Sequence, residues 1–107
     1  MPTRDNWDGY GAPAPNRVAI RAAQRVLDAL KQAGLKPGGV VPSAEGGVGI
    51  FFSRDHCYAD FECFNDGDVL VGMSDRSGHP IIREVDMDHS LDQEIEAIRR
   101  FLEKKDR

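Results

Sequence analysis

Metal-ligand and nucleophile motifs are missing from this sequence. It contains no C-x-x-C, no H-x-H and no H-E-x-x-H, and its three histidines, His56, His79 and His89, are widely spaced. A zinc site would have to draw Cys57 or Cys63 together with distant imidazoles. The two cysteines are also poorly placed for a disulfide. Both fall in one predicted strand, roughly 20 Å apart at about 3.3 Å per residue, whereas a bridge needs Cα atoms within about 7 Å. No apolar run approaches the roughly 20 residues of a membrane helix. The first residues lack the hydrophobic stretch of a secretory leader, so the expectation is a soluble cytoplasmic protein. Basic residues are outnumbered: 14 Lys and Arg stand against 18 Asp and Glu, a net charge of −4. Nucleic-acid binding depends on basic groups that displace counterions, so this balance argues against a nucleic-acid partner. The glycine-rich Glu45-Gly46-Gly47-Val48-Gly49 has no following Gly-Lys-Ser/Thr and precedes a strand, which excludes a phosphate loop.

The chain begins with an aromatic, irregular stretch, Asn6-Trp7-Asp8-Gly9-Tyr10-Gly11-Ala12-Pro13, containing the only tryptophan and one of two tyrosines. Residues 1–12 read as a tethered arm. Trp7 and Tyr10 either plug one end of the core or form a binding patch, since such side chains dominate interface hot spots. A helix is predicted over 16–34, with Asn16 as N-cap, Gly34 as left-handed stop and Pro37 barring continuation. Its apolar arc comprises Val18, Ala22, Val26, Ala29 and Leu30, joined by Ala19, Ala23 and Ala33, with Ile20 and Leu27 at the border and Arg17, Arg21 and Arg25 opposite.

From 39 to 87 the pattern is that of strands: an antiparallel meander of four or five, joined by turns too short for parallel crossovers. Cys57, Ala59, Phe61 and Cys63 alternate with Asp60 and Glu62, predicting a half-buried strand with one wet face. Asn65-Asp66-Gly67-Asp68 is a hairpin turn. A second helix is predicted over 90–104, opened by a Ser90–Gln93 capping box. The resulting fold class is α+β: a single two-layer domain over 1–107, with both helices packed on one face of the sheet.

Charge is uneven along the chain. Residues 1–36 hold six basic and three acidic side chains, and residues 37–89 hold three basic and ten acidic. The expected acidic sheet face carries Asp60 and Glu62, with Asp66, Asp68, Asp86 and Asp88 at its rims. Such a surface either docks a basic partner or is a solvated face that blunts aggregation. Asp86, Asp88 and His89 are the strongest candidates for a divalent metal and for a small metal-dependent hydrolase. Carboxylates ahead of a helix are, however, also favoured by its dipole. No cofactor and no catalytic residue is assigned.

Asn6-Trp7-Asp8-Gly9-Tyr10-Gly11-Ala12, then a helix, then Val41-Pro42-Ser43-Ala44-Glu45-Gly46-Gly47-Val48 resembles a group of small bacterial proteins with no agreed activity. Where those relatives often carry a tryptophan at the end of the strand after the Gly-Gly turn, this chain has Phe51-Phe52. Their character as accessory proteins near mobile elements or toxin–antitoxin-like genes implies an interaction role. The leading expectation is a non-enzymatic protein-binding module of antitoxin, immunity or defence-inhibitor type. Its candidate binding residues are Trp7, Tyr10, Asp60, Glu62, Arg17, Arg21 and Arg25. A homodimer is the second reading and a metal-dependent hydrolase the third.

Overall fold

Residues 14–75 and 78–103 are described by the computed structural model. Helix α1 spans Arg17–Ala33, followed by strands β1 (Gly39–Ser43), β2 (Gly47–Arg54), β3 (Cys57–Phe64), β4 (Val69–Ser74) and β5 (Ile81–Glu84), and then helix α2 (Leu91–Glu103). The strands form one antiparallel sheet in the order β1-β2-β3-β4-β5. Both helices pack on the same face, making a two-layer α+β fold.

The alternation read from β3 places Ala59, Phe61 and Cys63 in the core. Val48, Ile50 and Phe52 of β2 and Val69, Val71 and Met73 of β4 join them. Ala19, Ala23, Val26 and Leu30 of α1 and Leu91, Ile95 and Ile98 of α2 cover this surface. Burial of these side chains is the main favourable term holding the layers together. Val18 departs from the predicted apolar arc. It is 49 % exposed, in the first turn of α1 beside Gly67 of the β3–β4 turn.

Helix α1 begins and ends as its sequence predicts. Asn16 Oδ1 accepts the Ala19 N–H at 3.0 Å. Gly34 adopts a left-handed conformation (φ 73°) in which its N–H reaches back to the carbonyls of Leu30 and Lys31, a conformation glycine enters without Cβ strain. Arg99 of α2 donates from Nη2 to the Ala33 carbonyl, placing a cation at the negative end of the α1 dipole.

Long-range contacts fix the rest. Asn65, in the β3–β4 turn, accepts the Asn16 N–H on Oδ1 at 2.9 Å and donates Nδ2 to the Ala14 carbonyl at 3.0 Å, while Asn16 Nδ2 donates to the Asn65 carbonyl at 3.0 Å. Arg83 of β5 grips Glu94 of α2 in a forked pair, with Nη2–Oε1 at 2.6 Å and Nε–Oε2 at 3.1 Å. Ser90 serves the loop before α2: its hydroxyl accepts the Asp86 N–H at 2.9 Å and donates to the Asp86 carbonyl at 3.1 Å. The capping-box pattern had assigned that hydroxyl to the first turn of the helix.

Candidate functional site

The face of the sheet opposite the helices is built by the other half of each strand's alternation. Register sets Phe51 opposite Asp60, Gly49 opposite Glu62, Asp60 opposite Gly72 and Leu70 opposite Glu62. Val41 of β1 lies beside Gly49, and Ile82 of β5 beside Gly72. This face is therefore mixed rather than simply wet and acidic. Val41, Tyr58 and Ile82 are 46 %, 44 % and 66 % exposed, and Phe51, Phe64 and Leu70 are half-buried. Asp60 and Glu62 stand among them, both half-buried.

Between β1 and β3 the face sinks into a cleft of about 200 Å³ lined by Val41, Ser43, Ala44, Gly49, Phe51, Tyr58, Asp60 and Glu62. Gly49 contributes no side chain, so the floor is backbone. The rings of Phe51 and Tyr58 stack with centroids 6.5 Å apart and planes 12° apart. The buried Ser43 hydroxyl donates to Glu62 Oε2 at 2.6 Å and accepts the Glu45 N–H at 3.2 Å, which fixes the Glu62 carboxylate. Asp60 leans across to β4. A Cβ on Gly72 would come within 2.7 Å of Asp60 Oδ1, an approach only glycine permits at that carboxylate position.

Asp60 is held where its charge is disfavoured. Partial burial, and then the charge of Glu62, raise the Asp60 pKa above the usual aspartate range, opposed by a hydrogen bond from the Gly72 N–H. Burial together with Asp60 and Glu62 also raises the Tyr58 phenol. Both shifts disfavour further negative charge at this point of the face.

The other predicted residues are dispersed. Arg25 donates to Asp88 Oδ1 at 3.1 Å and to the Met87 carbonyl at 3.2 Å, binding α1 to the loop before α2. It is thereby separated in role from the exposed Arg17 and Arg21. Asp88 is thereby tied to the helix side. Asp86 Oδ1 accepts the Asp88 N–H at 3.0 Å and its Oδ2 lies 3.1 Å from His89 Nδ1. These bonds, the first of them foremost, lower its pKa. Among the described residues no three of His, Cys, Asp and Glu group as metal ligands. The Cys63 thiol is buried and pushed up to about 12, chiefly by desolvation, which keeps it protonated and unsuited to nucleophilic attack. Trp7 and Tyr10 lie outside the described residues.

Asp60 and Glu62 were legible as candidates from alternation. Tyr58 shares their face by the same alternation and was overlooked beside the charges, whereas Phe51, Ser43 and Gly49 were missed because only strand register brings them there. No family model matches the chain, and no curated protein or solved structure shows significant similarity to it. No helix among the described residues is long and apolar enough to cross a membrane.

Proposed function

We propose that this chain is a non-enzymatic protein-binding module whose partner docks on the open face of the sheet, in the manner of an antitoxin, immunity or inhibitor protein. The observation that carries this reading is the composition of that face. Apolar and aromatic side chains surround a fixed carboxylate pair, and none of the described helices covers them. A merely solvated sheet face does not require Val41, Phe51, Tyr58, Leu70 and Ile82 in one surface, and contiguous exposed apolar area marks interaction sites. Trp7 and Tyr10 of the N-terminal arm add aromatic anchors to the same partner in this reading.

Capture from an extract of the native cells tests it. The full chain is expected to retain a defined partner at physiological salt, and Arg21→Gln to retain the same one. Tyr58→Ala and Asp60→Lys are expected to lose it. Absence of a partner, or a partner lost with Arg17 or Arg21 and kept by the Asp60 variant, would sink the reading.

A further inference from the structure

We infer that the cleft between β1 and β3 receives the guanidinium of an arginine side chain of the docked protein, sandwiched against Phe51 and Tyr58 and paired with Asp60 and Glu62. The inference rests on the binding reading above and names the chemistry that this face recognises.

Four observations converge on it. First, the cleft, at about 200 Å³, is below the roughly 300–1,000 Å³ of small-molecule pockets and suits one side chain. Second, one wall is a stacked aromatic pair, and aromatic faces attract cations, arginine more often than lysine. Third, the other wall holds two carboxylates, which attract a cation and repel an anion. Fourth, Ser43 holds Glu62 before any ligand arrives, and Asp60, which also reaches over Gly72, lines the same cleft. A planar fork bonding two carboxylates while stacking on a ring is what guanidinium does and an ammonium does not. Burial, and then the charge of Glu62, disfavour the Asp60 carboxylate, a cost that a cation seated in the cleft offsets. A second copy of this chain is a poor occupant, since a two-fold pairing of open faces would bring four carboxylates together.

The test uses nuclear magnetic resonance of the ¹⁵N-labelled full chain titrated with N-acetyl-arginine methylamide. Saturable shifts are expected at the Gly49 and Gly72 amides, with a Kd of roughly 1–10 mM as befits a single side chain. The uncharged citrulline analogue is expected to leave both amides unmoved, and the lysine analogue to bind several-fold more weakly. Asp60→Asn and Glu62→Gln should each weaken arginine binding about tenfold, which corresponds to about 1.4 kcal/mol. Gly49→Ala should do the same by raising the floor. Its new Cβ meets nothing closer than Val41 Cγ2 at 3.6 Å, so the dispersed spectrum persists and loss of folding is separated from loss of binding.

Equal shifts with citrulline, equal affinity for lysine, or no saturation would overturn the inference. So would binding that emerges only in Arg4→Gln, because the occupant would then be this chain's own arm. A negative titration alongside capture that still depends on Tyr58 and Asp60 removes the arginine assignment alone. Loss of that dependence removes the binding reading itself.

Discussion

Asp60 is held in a place where its charge is unwelcome. Its pKa is raised by burial and by Glu62, so just above the unfolded value the folded chain still holds a proton that the unfolded chain has released. Between the unfolded value, about 3.9, and the raised folded value, stability therefore falls as pH rises, and above that window the deficit is constant. Asp60→Asn removes the charge and keeps an oxygen to accept the Gly72 N–H. It is expected to raise the melting temperature by a few degrees at neutral pH and to leave it unchanged near pH 3, where both states are protonated; unfolding followed by circular dichroism at the two pH values checks this. A variant no more stable than wild type at neutral pH would mean that Asp60 is not strained. Retaining such a residue fits a site in which stability is exchanged for recognition.

At the scale of elements, periodicity delivered the helices and strands, and side-chain partners did not follow from it. Gly34 and Asn16 were readable because capping is local, within three or four residues. Arg83 and Glu94 were not, because both sit in sequence patterns that place a charge on a surface. Only the packing of α2 on the sheet, with Arg83 reaching to it from β5, reveals Glu94 as buried, at 8 % exposure. Removing one partner of such a pair leaves a charge without compensation. Arg83→Met is expected to destabilise the fold by roughly 1–3 kcal/mol, less than for a fully enclosed pair because the Arg83 side chain is 45 % exposed. Urea denaturation of Arg83→Met, Glu94→Leu and the double variant measures it. The double variant should recover part of the loss; strict additivity would deny the coupling. The Asn65 clasp escaped the sequence for a similar reason. A hairpin asparagine is sufficiently explained by its turn, and nothing local announces that its amide also secures the start of α1.

For the whole molecule, the fold class was legible because five short alternating segments joined by tight turns admit few arrangements other than a meander. The nature of the open face was not legible, since no single strand carries it. Asp60 and Glu62 dominate the pattern of β3, and Tyr58 and Phe64 of that strand are joined by apolar groups from β1, β2, β4 and β5. Among the described residues no strand pairs beyond β1 or β5. β1 carries Pro42, and β5 is only four residues long with Arg83 and Glu84 among them, features that blunt strand addition. Together with the mutual repulsion of paired open faces, this predicts a monomer. Light scattering at high protein concentration should return the mass of one chain, 11.8 kDa; a dimer mass would restore the self-pairing reading.

Because each strand bonds only to its neighbours in sequence, the sheet can grow in the order in which the polypeptide leaves the ribosome, every hairpin zipping onto the last without a long loop to close. Of the rear layer, α1 is made first and α2 only last. Ile95 and Ile98 are synthesised after all five strands, so the nascent sheet shows part of its apolar side to the cell until the final helix emerges. A chain stalled or cut before Leu91 would be left in that sticky, half-covered condition.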